Sequence, residues 1–165
     1  MSDSLELDSL NSVKYLYLRE LSEPRDNSVR LVVEEAVRGR PALKGSPQTE
    51  LPELAEIMKD GRLIESTEGC RTFELSWKRY VAYLVTEECV GSCGKYDDES
   101  FTGKLFRVYT DSHFLKHLAL DTGGHVEQIQ HYKLTCLNHL IDVAAYAPPE
   151  IRLIDPASQR SLRIQ

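Results

Sequence analysis

Two cysteines and two histidines in this chain have the residue types and spacing of a metal site. Cys89 and Cys93 stand four positions apart, as do His113 and His117. Thiolates and imidazoles are the ligands that a tetrahedral zinc ion takes, and histidines at i and i+4 share one helix face. The two pairs are farther apart than in the usual zinc finger. A structural zinc site is therefore one hypothesis, and the alternative is thiols in a loop beside histidines on a polar helix edge.

A run of carboxylates with two aromatic residues lies between residues 86 and 102. It carries most of the net charge of −6. Rings supply buried area in protein contacts and carboxylates supply steering, so we expect a hairpin that binds a basic protein partner. A solvated loop is the competing interpretation. The expected contact residues are Glu87, Glu88, Tyr96, Asp97, Asp98, Glu99 and Phe101. The negative field disfavours nucleic acid, and the spacing is not that of a calcium-binding loop.

A second cluster of reactive residue types is Cys136, Asn138, His139 and Asp142. A thiol nucleophile needs its base within hydrogen-bond reach, but Cys136 and His139 leave a strand on opposite faces. We therefore expect Cys136 to be a small buried residue, and Asn138 and His139 to satisfy backbone groups at a bend. Among the aromatic residues, Trp77, Tyr80 and Tyr83 could form a stacking platform. Strand parity separates Tyr80 from Tyr83, so core packing is the preferred interpretation.

The composition is that of one folded domain over residues 1–165. The hydrophobic fraction is 41%, which suffices for a packed core, and no apolar run is long enough to span a membrane. The acidic start does not resemble a signal peptide, so we expect a cytoplasmic protein whose four cysteines are reduced. Residues 1–12 and 155–165 are expected to be loose termini, and residues 38–52, rich in Pro and Gly, a mobile loop.

Alternating apolar residues predict a mainly β fold, either an antiparallel sandwich or a bent sheet. Residues 13–20 and 29–37 form one expected hairpin, and residues 62–66 and 71–77 another. Changes of parity at residues 77–80 and 137–139 predict bends, the first of which carries the chain from one sheet to the next. One helix is expected at about residues 112–121, capped by Asp111 or Ser112 and ended by glycines. An α+β layout is the alternative.

Three segments resemble a group of small bacterial proteins without an assigned activity: 77–88 (WKRYVAYLVTEE), 104–115 (KLFRVYTDSHFL) and 131–142 (HYKLTCLNHLID). The resemblance covers roughly residues 73–154 and consists of strand patterns. Some such small acidic β proteins are suspected immunity or partner-binding proteins in toxin systems. The resemblance implies an immunity-type role and no catalytic residue.

Three functional hypotheses follow from the sequence. The first is a non-catalytic domain that binds a basic protein through the acidic hairpin, and the second is a zinc-stabilised domain. The third is a small hydrolase, which requires a concave pocket lined by histidines and acids. No cofactor other than zinc is indicated, and a homodimer through an exposed sheet edge is a further hypothesis.

Overall fold

The computed structural model describes residues 2–41, 61–91, 98–125 and 128–155. Over these ranges the chain is mainly β, as the sequence predicts, and its strands form two antiparallel sheets. The strands are β1 (Tyr15–Ser22), β2 (Val29–Pro41), β3 (Arg62–Glu65), β4 (Thr72–Trp77), β5 (Tyr80–Glu87), β6 (Ser100–Gly103), β7 (Phe106–Asp111), β8 (Gln130–Thr135), β9 (His139–Ala145) and β10 (Glu150–Ile154). The helices are α1 (Ser2–Ser12), the short α2 (Glu88–Gly91) and α3 (His113–Asp121).

The first sheet has the order β1-β2-β4-β10, and β3 also pairs with β2. The expected β1–β2 hairpin is confirmed, with Tyr15 opposite Ala36. The second expected hairpin is wrong, because β3 and β4 do not pair with each other but lie along successive parts of β2. Strand β2 is long enough for both because it continues to Pro41, so residues 38–41 are strand rather than loop. The rest of the expected loop lies outside the described residues.

The second sheet has the order β5-β9-β8-β7-β6. The bend expected at residues 77–80 is confirmed, since β4 ends at Trp77 in one sheet and β5 begins at Tyr80 in the other. A β-bulge follows between Tyr80 and Ala82. This bulge corrects the parity argument for the two tyrosines: the extra residue turns Tyr80 and Tyr83 to one side, with ring centroids 5.1 Å apart.

One hydrophobic core joins the two sheets. Trp77 of the first sheet contacts Phe106 and Tyr132 of the second, with ring centroids 6.4 and 5.8 Å away. Alternate residues of β2, β4, β8 and β9 fill the space between the sheets. Trp77 is buried, so its expected core role is confirmed. No helix in the described ranges is long and apolar enough to cross a membrane.

The N-terminal segment is a structural element rather than the expected loose lead-in. Residues 2–12 form α1, whose Leu10 is fully buried in the core. Arg71 holds the helix in place, because its guanidinium donates to Ser9 and Ser12 while it pairs with Glu35. The polar sequence of α1 hides this role, because only the buried Leu10 and the partly buried Leu7 pack against the core among its described side chains. Residues 156–165 lie outside the described ranges.

Helix α3 confirms the expected helix near residues 112–121. Ser112 is its N-cap, and the Ser112 side chain accepts a hydrogen bond from the Leu115 amide. Two glycines follow with positive φ angles, 61° at Gly123 and 75° at Gly124, which end the helix as predicted. Leu118 is buried beneath the helix, and Phe114 contacts His131 of β8. The helix therefore lies against the face of the second sheet that points away from the core.

Candidate functional site

The acidic segment is not a hairpin. Strands β5 and β6 lie at opposite edges of the second sheet, so the chain between them crosses from one edge to the other. Glu87 ends β5, Glu88 begins α2, and Asp98 and Glu99 lead into β6. Cys93, Tyr96 and Asp97 lie outside the described residues. The acids that the sequence places in one hairpin are thus divided between two places.

The first group of acids lies at the end of an edge strand. Strand β5 pairs with β9 on one side, and no described strand pairs with its other side. The beginning of β5 is covered by the 23–28 turn, because the Tyr80 amide donates to the Asn27 carbonyl at 2.9 Å. The second half of β5 lies beyond that contact, and Glu87 is exposed there. The uncovered edge therefore ends in carboxylates.

The second group of acids stabilises the start of α3. Glu99 Oε1 accepts from the His113 amide at 2.8 Å, which satisfies one unpaired N–H of the helix terminus. Asp98 Oδ1 lies 2.8 Å from His113 Nε2. This hydrogen bond from His113 lowers the pKa of the Asp98 carboxyl. Both acids therefore have structural roles that the sequence did not indicate.

Phe101 is the described aromatic residue of the expected contact set. It lies on β6, and 42% of it is exposed. Its ring packs against Tyr109, with centroids 5.1 Å apart, and the Arg107 guanidinium lies 4.4 Å from its centroid. Phe101 is thus accessible, but it is at the sheet edge opposite to Glu87.

A concave site lies between α3 and the outer face of the second sheet. This cavity has a volume of about 290 Å³, at the lower limit of the roughly 300–1,000 Å³ of ligand pockets. Leu84, Leu140 and Phe114 provide apolar walls. The polar lining residues are Thr86, Glu99, His113, His117, His131, Lys133 and Asp142. The pocket of histidines and acids that the hydrolase hypothesis requires is therefore present.

Each of the three histidines in the cavity is held by an aspartate through Nε2. The distances are 2.8 Å for His113 with Asp98, 3.2 Å for His117 with Asp121 and 2.8 Å for His131 with Asp142. An ionised carboxylate only accepts hydrogen bonds, so Nε2 of each ring carries a proton. In a singly protonated ring, Nδ1 is an acceptor.

The buried centre of this group is His131 with Asp142. The His131 ring is 2% exposed and stacks on Tyr109 at 4.3 Å. Its Nδ1 has no hydrogen-bond partner within the described part of the chain. Lys133 Nζ lies 3.2 Å from Asp142 Oδ1 and 3.3 Å from Oδ2. Lys133 therefore balances the charge of the Asp142 carboxylate, and the hydrogen bond with His131 fixes the orientation of that carboxylate.

The sequence analysis did not identify His131 or Lys133. One signal was available: Asp142 is a carboxylate inside the otherwise apolar strand LIDVAA, and such a residue needs buried partners. Lys133 stands directly opposite Asp142 in the β8–β9 register. That register requires the turn at residues 136–138 to join β8 and β9 as a hairpin, whereas the sequence predicted only a bend.

The four expected zinc ligands are only partly described. His113 and His117 both line the cavity, but the Cys89 thiol donates to Glu87 Oε1 at 3.0 Å and does not line it. Within the described ranges, no group of three His, Cys, Asp or Glu residues is placed to hold a metal ion. The zinc site stays a prediction that depends on Cys93.

The residues of the second sequence cluster have separate roles. Cys136 is a buried core thiol, as expected, and its burial raises its pKa to about 12. Asn138 bonds both backbone groups of Leu18, at 2.9 Å to the amide and 3.0 Å to the carbonyl, which confirms its expected role. Asp142 pairs with His131 rather than His139. Of the other cysteines in the described ranges, Cys70 is buried and Cys89 is exposed.

No protein-family model, curated protein or solved structure matches this chain.

Proposed function

We propose that this chain is a non-catalytic protein-binding domain that holds a basic segment of a partner protein at the second half of β5. The observation that carries the proposal is the position of β5 at a sheet edge, with exposed apolar residues followed directly by carboxylates. An extended segment of a partner could pair with the backbone of this edge, as in β-strand addition. The first half of the same edge is covered by the 23–28 turn, so the surface available to a partner is short.

The apolar part of this surface is concentrated in a short stretch. Leu84 is 49% exposed, Val85 38% and Val90 65%. Leu84 and Val85 are consecutive in the strand, so their side chains leave on opposite faces beside the edge. Exposed apolar residues bordered by charged ones are the usual composition of a protein interface, with an apolar centre and a polar rim.

The charge of this surface selects the kind of partner. Glu87 and Glu88 follow the exposed stretch, and the whole chain carries −6. A basic segment paired with β5 could place its cationic side chains beside Glu87 and Glu88, which complements the charge of this edge.

An immunity-type role is the most specific form of this proposal. An inhibitor of a basic toxin needs a preformed, negatively charged surface, and the end of β5 has that character. The support is the charge and exposure of the surface together with the resemblance of residues 73–154 to small bacterial proteins. The toxin would be the basic partner.

The hydrolase hypothesis has weaker support, although its pocket is present. Acid–base catalysis of hydrolysis needs a nucleophile or an activated water beside an imidazole. Thr86 is the hydroxyl that the described lining of the cavity offers, and Cys136 lies in the core on the other side of the sheet. The cavity supplies oriented imidazoles without an evident nucleophile, so we do not advance catalysis.

The test is recovery of the partner and measurement of its affinity with matched variants. The chain is used as bait in a lysate of its source, and the recovered protein is identified, purified and titrated by calorimetry. Glu87→Gln with Glu88→Gln removes two charges at β5, and Asp8→Asn with Glu68→Gln removes two from exposed sites on α1 and in the turn before β4. We expect a basic partner, and weaker binding with the first pair only. A partner that binds all three proteins equally contradicts the proposal.

A further inference from the structure

We propose that the cavity between α3 and the second sheet, which borders the β5 surface at Leu84, is a binding site for a small organic cation, an alkylammonium or guanidinium compound. The inference does not depend on the proposed partner binding at β5, because its ligand is a free small molecule. It follows from the hydrogen-bonding groups that the cavity offers, the balance of charge around it and its aromatic wall.

The cavity is rich in hydrogen-bond acceptors and poor in donors. His117 and His131 use their Nε2 protons on Asp121 and Asp142, so Nδ1 of each neutral ring can only accept. The carboxylates of Glu99 and Asp142 add further acceptors to the wall. Among the described lining side chains, the ammonium of Lys133 and the hydroxyl of Thr86 complete the polar set as donors. A ligand with several N–H groups matches this lining.

The charge around the cavity favours the same class of ligand. Glu99 and Asp142 line it, and Asp98 and Asp121 lie behind His113 and His117. Lys133 is the cation among the described lining residues, and both oxygens of Asp142 already contact it. Carboxylates thus outnumber lysines around the cavity, even with Lys116 beside Asp98 and Glu99, and this excess favours a positive ligand over an anionic one.

The buried imidazole of His131 leaves one polar atom unsatisfied beside the cavity. The Nδ1 atom of His131 is buried without a hydrogen-bond partner among the described residues, and a buried acceptor left unsatisfied costs free energy. Phe114 contacts the same ring, with centroids 5.1 Å apart. The face of Phe114 is the kind of wall against which ammonium and guanidinium groups bind.

The experiment is a titration of the full chain with agmatine and n-butylamine, followed by NMR shifts of the histidine and Phe114 resonances. Butanoate and butanol, of similar size, are the anionic and neutral controls. We expect both amines to bind at the cavity and neither control to do so. Binding of butanoate at the same resonances, or failure of both amines to bind, overturns the inference.

Two substitutions with opposite expected effects make the test specific. Glu99→Gln removes one charge yet keeps an oxygen for the His113 amide, and it should weaken amine binding at least about fivefold. Lys133→Met removes the opposing ammonium and should tighten it. Asp111→Asn, at an exposed carboxylate paired with Lys116 outside the cavity, is the control for net charge.

The combined outcome is decisive even if one variant is unstable. A weakening by Lys133→Met in a protein that stays folded shows an anion site and contradicts the inference. Equal weakening by Glu99→Gln and Asp111→Asn shows general charge attraction, which also contradicts it. Glu87 and Glu88 do not line the cavity, so the variant with Glu87→Gln and Glu88→Gln should still bind the amines. A variant that loses the partner but binds the amines therefore separates failure of one proposal from failure of the other.

Discussion

His131 donates its Nε2 proton to Oδ1 of Asp142 over 2.8 Å on the outer face of the second sheet. Both side chains are buried, and Lys133 shares the same carboxylate. Loss of either partner leaves a hydrogen bond of the buried carboxylate unmade, which costs free energy. This group therefore ties β8 to β9 beneath α3 and determines the floor of the cavity.

Removal of the Asp142 carboxylate should destabilise the protein strongly. Asp142→Ala leaves the Lys133 ammonium and the His131 N–H without their partner, which should lower the free energy of unfolding by about 1–3 kcal/mol. Urea unfolding followed by tryptophan fluorescence measures the loss, since Trp77 is in the core. Asp111→Ala breaks an exposed pair and should change little. Equal effects of the two substitutions would show that the buried group has no special role.

The first helix should contribute to stability through one residue. Leu10 is fully buried, so Leu10→Ala should lower the free energy of unfolding by about 2–5 kcal/mol. Leu5 lies on the same helix but is 71% exposed, and Leu5→Ala is the matched control. Thermal and urea unfolding of both variants provide the measurement. If Leu10→Ala were as mild as Leu5→Ala, α1 would not be docked.

The Glu35–Arg71 pair should make stability depend on pH in the acid range. The hydrogen bond from Arg71 lowers the pKa of the Glu35 carboxyl below its ordinary value. The unfolded chain therefore binds a proton at higher pH than the folded one, and the stabilisation present near neutrality is lost as pH falls through the lowered pKa. Glu35→Gln should lower the free energy of unfolding by about 1 kcal/mol at pH 7. At pH 3 the free energies of unfolding of the variant and the parent protein should be closer to each other. The same difference in unfolding free energy between variant and parent at pH 7 and at pH 3 would contradict this linkage.

The thiols should differ in reactivity according to their surroundings. Cys136 is buried with a pKa raised to about 12, so it should not react with a thiol reagent at pH 8 in the folded protein. Cys89 is exposed, but its hydrogen bond to Glu87 raises its pKa and should slow its reaction. Glu87→Gln should therefore accelerate labelling of Cys89 more than Glu88→Gln does. Peptide mapping by mass spectrometry gives the rate at each cysteine, and rapid labelling of Cys136 would show that the core opens.

Local patterns in the sequence predicted those elements whose formation depends on neighbouring residues. The β1–β2 hairpin, the cap at Ser112 and the change of sheet after Trp77 all follow from such patterns. The pairing of β3 and β4 with β2 could not be predicted in this way, since two short strands joined by a turn pattern look like a hairpin in either arrangement. Strand order within a sheet depends on contacts between distant segments.

The candidate site was harder to predict than the fold. The histidines His113 and His117 were identified from their spacing, yet their partners Asp98 and Asp121 and the buried His131 come together only through the sheet order. The bulge after Tyr80 illustrates the same limit. It places Tyr80 and Tyr83 on one side, where both hydroxyls donate to Oε1 of Glu23 at 2.9 and 2.8 Å. Parity alone assigned the two rings to opposite faces.

Hydrogen exchange of the chain with and without its purified partner tests the central proposal most directly. Strand addition at β5 predicts new protection of backbone amides in residues 84–87, and little change at β6, the opposite edge of the same sheet. The protection should be lost with Glu87→Gln and Glu88→Gln at moderate salt, and retained with Asp8→Asn and Glu68→Gln. Protection confined to any other edge, with the amides of residues 84–87 unchanged in the complex, would contradict binding at β5.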